Sequence, residues 1–153
     1  MESNTSEFKE EEKPTKRLEL EYLSAFVGDW QTEGRYGSDV DNMHGTESYS
    51  FLENEFFLIN KWTRSFGSHR HVGMVFLGYD TLKHKFISQS CDNLGYARTY
   101  EVFIRKDMIF LNGELERAKI HLSANKQELF IQWEINKKGA WSELCDLRGS
   151  RSH

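Results

Sequence analysis

A chain of 153 residues, 38% of them hydrophobic and 14% aromatic, suffices for one domain with a sizeable core, and 29% charged residues with a single proline give an ordinary wet surface. The formal net charge is -4 and the 20 basic residues are scattered, so no positive stripe exists for a phosphate backbone and no nucleic-acid partner is expected. No run approaches the ~18 apolar residues of a membrane span, and the opening MESNTSEFKEEEKPTKR lacks a secretory apolar core, so no membrane partner is expected and the expected location is the cytoplasm.

Residues 1–14 read as a disordered acidic tail, with Glu10, Glu11 and Glu12 in a row before Lys13-Pro14, a composition too polar to recover its ordering entropy by burial. Residues 15–150 read as one domain. It opens with Leu18, Tyr22, Leu23, Phe26 and Val27 at helical spacing, which predicts one short helix, and Gly28 stands where a left-handed residue would end it.

From Gly28 the period changes to two. Ten strands are predicted, at about 29–36, 44–52, 55–65, 70–79, 84–91, 95–104, 107–113, 115–122, 127–136 and 140–148, separated by short polar turns. In the ninth, Leu129, Ile131, Trp133 and Ile135 alternate with Gln132 and Glu134 before the turn Asn136-Lys137-Lys138-Gly139. In the sixth, Tyr96, Arg98, Tyr100, Val102 and Ile104 share a side, so an arginine interrupts a dry face. The fold class is therefore all-β and antiparallel. A meander of ten strands left open would expose two edges, and the proline or charge clustering that guards edges is missing, so an up-and-down barrel is predicted over a sandwich.

The tripeptide Gly28-Asp29-Trp30 at the first strand after a short helix resembles the G-x-W signature of lipocalins and the wider calycin group. That resemblance implies a tryptophan closing one barrel end, with a basic residue from the last strand across its ring, and Arg148 stands where that partner is expected. Gly73-Met74-Val75-Phe76-Leu77-Gly78-Tyr79-Asp80, Lys85-Phe86 and Asp92-Asn93-Leu94-Gly95 look more narrowly like a bacterial lipocalin-like family of unknown function. The likeness implies a calycin-type barrel over residues 20–148 and names no activity.

Candidate ligand-binding residues are those on faces that read inward. Arg98, between Tyr96 and Tyr100, needs an internal carboxylate or an anionic ligand group, because a buried guanidinium is costly unpaired. Glu47 and Tyr49 share a face of the second strand, where their polar ends would form a hydrogen-bonded cluster or the partner for Arg98. Trp62, Met74, Phe76, Phe86 and Trp133 would supply apolar walls, or plain core. His69 and His71, with His44 and His84 elsewhere, lack the further ligands of a metal site, so no metal is expected, and Cys91 and Cys145 read as two buried thiols. Nucleophile elbow, phosphate loop, H-E-x-x-H and dinucleotide fingerprints are all missing, and Glu47, Glu101, Glu114 and Asp146 stand equal as general bases. The expected function is binding of a small hydrophobic or amphipathic molecule inside the barrel, its cofactor unspecified. The alternatives are a barrel enzyme of isomerase, hydratase or chromophore-lyase type, and an interaction module with a filled barrel.

Overall fold

The computed structural model describes residues 17–152, and the acidic segment 1–14 read as a tail lies outside them. Helix α1 (Arg17–Ser24) precedes ten strands: β1 (Gly28–Tyr36), β2 (Met43–Phe51), β3 (Phe57–Phe66), β4 (His69–Asp80), β5 (Lys85–Asp92), β6 (Ala97–Arg105), β7 (Met108–Asn112), β8 (Glu116–Leu122), β9 (Glu128–Lys137) and β10 (Ala140–Arg151). Each strand pairs antiparallel with its chain neighbours and β1 closes on β10, giving a closed up-and-down barrel. The predicted architecture is present, and only the end of β10 departs by as much as three residues from its expected place.

Local chemistry sets the turns. Between β9 and β10 the loop is Lys138-Gly139, both at positive φ (54° and 87°), the pattern of a type I′ hairpin whose twist matches its strands. Asn136 holds it by accepting a hydrogen bond from the Gly139 amide at 2.8 Å. Farther along β10, a bulge between Glu143 and Cys145 shifts the alternation by one, leaving Trp141 and Glu143 outside while Cys145 and Leu147 point in.

Alternate residues fill the interior. Paired rows such as Leu58 with Leu77, Val102 with Leu111, Ile109 with Ile120 and Leu129 with Gly149 all turn one way, because directly opposed residues of a ladder share a face. Leu129, Leu147 and Ile109 are at most 2% exposed, so the inner wall is dry in this half.

Helix α1 caps that end. Leu23 and Phe26 are buried, while Leu18 and Val27 of the expected apolar stripe face solvent. Tyr22 donates to the Asp107 carbonyl at 2.5 Å and accepts from the Leu122 amide, and burial pushes its phenol up to about 12. Trp30, fully buried, donates through Nε1 to the Phe26 carbonyl at 2.9 Å, tying the barrel floor to the turn after the helix. The cation over its ring is Arg151, 4.2 Å from the centroid, and not the expected Arg148. The reason is phase: Arg148 lies opposite Glu33 on the outer face and bonds Asp41 at 2.5 Å, whereas β10 runs on to Arg151, which shares the inward side with Cys145, Leu147 and Gly149. Arg151 also donates to the carbonyls of Ala25 and Val27, which follow the helix and need partners. Gly28 is not a left-handed helix cap but opens β1 at φ +132°, where a Cβ would meet the Arg151 guanidinium at 2.8 Å.

Candidate functional site

The lumen has two unlike halves. Beside the helix, Leu58, Leu77, Ile109 and Leu111 surround a void of about 30 Å³, room for one water, into which the fully buried, unpartnered hydroxyl of Ser88 faces. At the opposite mouth, inward-facing Trp62, Phe66, His71, Ser90, Arg98 and Trp133 are only half-buried. Side chains that point inward and still meet solvent line a recess open at that end.

Between the halves lies a buried polar cluster. Glu47, 2% exposed, accepts from Arg64 Nη2 at 2.8 Å, from the Tyr49 hydroxyl at 3.0 Å and from Asn60 Nδ2 at 3.4 Å. Opposite charge and three donors hold a carboxylate where water cannot. Tyr49 is pushed well above its ordinary range by burial and by the Glu47 charge, so it stays neutral and donates. Arg64 lies over the Trp62 indole, 5.0 Å from its centroid. Among the described residues, the buried donors Trp62 Nε1 and Arg64 Nε find no partner.

Arg98 does share the inner face of β6 with Tyr100, as the spacing predicted, but its partner is Glu116 of β8, at 3.5 Å, and not Glu47. Glu47 sits on β2 and is occupied by Arg64. The guanidinium also lies 4.6 Å from the Tyr96 ring, which is itself exposed. Tyr100 stacks obliquely on Trp133 with centroids 5.7 Å apart, and burial followed by the nearby Glu116 charge raises its phenol to about 12. Cys145, also on the inner face, is pushed up to about 11 by burial, which keeps it an uncharged thiol.

Three of the expected wall residues do not reach this recess. Met74 and Phe76 lie on the outer wall, opposite Lys61 and Ile59, while their neighbours Val75 and Leu77 turn inward. Phe86 points inward but packs on Tyr79 and the core, with centroids 5.3 Å apart. Met74 instead borders an outer-wall recess of about 780 Å³ with Gln31, Thr46 and Lys61, whose lining also reaches Glu47, Trp62 and Asp92. Only Cys145 is buried as expected: Cys91, opposite Met74, is exposed on that same outer wall, so the two thiols stand on opposite faces, both free. Residues the sequence reading passed over are Arg64, Asn60 and Glu116. Asn60 and Arg64 share the parity of Trp62, a signal that was present.

Near the mouth, His71 Nε2 meets Asp92 at 3.1 Å, and among the described residues no group of three or more His, Cys, Asp or Glu side chains is placed to hold a metal. Burial alone would raise Asp92, but the bonds from His71 and from the Tyr96 and Leu94 amides outweigh it and hold its carboxyl below the usual range. A carboxylate lowered on folding contributes stability above its unfolded pKa of ~3.9 and loses it as pH falls through the lower folded value. Asp92→Asn, which keeps an oxygen for both turn amides, is therefore expected to flatten the acid limb of unfolding free energy as pH falls below the unfolded carboxylate value of ~3.9. An unchanged limb in urea melts would show that Asp92 is not its source.

A closed ten-stranded antiparallel barrel, floored by a tryptophan under an arginine, has the fold expected of a calycin-type barrel. Solved structures agree on the fold. An S-type phycobiliprotein lyase, CPES, from Guillardia theta matches with a TM-score of 0.57 at 9% identity, over 92% of this chain and 99% of that one. The zebrafish ileal bile acid-binding protein complexed with cholic acid matches with a TM-score of 0.52 at 14% identity, over 84% of this chain and 99% of that one. No curated protein matches the sequence. The chain belongs to the family described as "Protein of unknown function (DUF1579)", whose profile matches residues 15–132. Among the described residues no helix is long and apolar enough to cross a membrane.

Proposed function

We propose that this protein binds a small hydrophobic or amphipathic molecule in the mouth half of its barrel, in the cytoplasm. The observation that carries this reading is the contrast between the halves: the helix end is packed to a void of about 30 Å³, while the aromatic inner face at the mouth meets solvent. Trp62, Tyr100 and Trp133 are the apolar walls. Glu47, Tyr49 and Arg98 are the polar frame, held by Arg64 and Glu116, and Phe86 belongs to the packed floor. A shared fold with a protein complexed with cholic acid supports a lumenal ligand. Two free thiols are in keeping with a reducing compartment.

Native mass spectra of protein purified without denaturant are expected to show added mass that is lost on unfolding. A panel of fatty acids, retinoids and tetrapyrroles at about 100 times Kd is expected to stabilise by ~2.7 kcal/mol, or ~5–10 °C in Tm. Bare protein with no shift across the panel would replace this reading by an interaction module with a filled barrel.

A further inference from the structure

We infer that the ligand's polar group is an uncharged acceptor, a ketone, ester, amide or quinone carbonyl, received by Trp62 Nε1 and Arg64 Nε. The inference rests on the lumenal reading and names the class of molecule that the lumen selects.

Hydrogen-bond capacity comes first. The Glu47 carboxylate receives Arg64, Tyr49 and Asn60. What is left over is donor: Trp62 Nε1 and Arg64 Nε are buried without partners, and Arg64 is 8% exposed. Such donors carry a desolvation cost that an incoming acceptor would relieve. Their placement is fixed. Gly73 leaves space for the Trp62 indole, since a Cβ there would lie 2.3 Å from its Cζ2, and the Arg64 guanidinium lies over the same ring, 5.0 Å from its centroid.

Charge then decides between acceptors. Arg64 is neutralised by Glu47 at 2.8 Å and Arg98 by Glu116 at 3.5 Å, so neither cation is left to receive an anion. At the rim the Asp92 carboxylate, bonded to His71, adds negative charge. An ionised carboxylate would enter a lumen whose positive charges are spent, and an ammonium would meet surplus donors. A carbonyl oxygen accepts both N–H groups without bringing a charge to be desolvated.

Isothermal titration of four matched ligands tests this: 2-acetylnaphthalene, 2-ethylnaphthalene, 2-naphthoate and 2-(aminomethyl)naphthalene. The ketone is expected to bind at least about tenfold more tightly than each of the other three. Trp62→Phe, which keeps a ring and removes the N–H, is expected to erase the ketone's advantage over the ethyl compound, while any loss of wall area weakens both alike. Tightest binding by the naphthoate or the amine, or equal binding of ketone and ethyl compound, overturns the inference while sparing the lumenal reading. Failure of all four to bind overturns the inference, and the lumenal reading falls with it only where the protein is also bare and unshifted across the fatty acid, retinoid and tetrapyrrole panel. The wild-type series decides the matter even if Trp62→Phe does not fold.

Discussion

Replacing Glu47 by leucine is expected to lower the free energy of unfolding by about 3–5 kcal/mol, or roughly 6–20 °C in Tm. The loss comes less from the vanished bond than from what remains. Arg64 keeps its charge with a side chain only 10% exposed, in a wall where Tyr49 has also lost its acceptor and Asn60 keeps only the Ser48 carbonyl. The control is the double variant Glu47→Leu with Arg64→Met. Removing both charges for apolar groups of similar volume is often near neutral, so the double variant should recover most of the stability and be less than additive. Urea unfolding of the three variants measures the coupling. A single-variant cost below about 1 kcal/mol would mean that Arg64 reaches solvent through the mouth, leaving the cluster wetter than its geometry implies.

The parts of this molecule legible in its sequence are those whose physics is local. Strand β9 could be read because one face is dry and the other carries Gln132 and Glu134, so period two leaves a single solution. Strand β4 defeats the same reading: Met74 and Phe76 on one side are as apolar as Val75 and Leu77 on the other, and a one-residue slip exchanges the faces. Closure of the barrel exposes the difference, since Leu58 opposite Leu77 fixes which side is core. The lumenal pairs were less accessible still. Arg98 was correctly placed inward by its parity, yet its partner Glu116 lies two strands away, a neighbour only because β6, β7 and β8 curl together. Glu47 with Arg64 joins adjacent strands, but no local rule ranks that pair above Glu47 with any other inward cation. The tryptophan of the G-x-W signature was found in its expected role, whereas its partner was misassigned by three residues because strand ends are the least determined feature of a period-two pattern.

That misassignment yields a sharp test of the barrel floor. Trp30→Ala is expected to cost about 3–5 kcal/mol, because a fully buried indole leaves a cavity that closed ladders on both sides cannot collapse to fill. The same change removes the donor to the Phe26 carbonyl, so amide exchange in α1 should accelerate beyond the global loss. The two arginines separate structure from signature. Arg151→Ala removes the cation 4.2 Å above the ring and strands the Ala25 and Val27 carbonyls, for an expected cost of about 2 kcal/mol. Arg148→Ala breaks only surface contacts with Asp41 and Glu33 and should stay within ~0.5 kcal/mol of the parent. If thermal melts reversed that order, Arg148 would be the cation that closes the barrel and the register at the end of β10 would be wrong. The expected order instead makes the floor one cooperative unit, with Trp30 bound to the helix turn on one side and Arg151 binding that turn and the ring together.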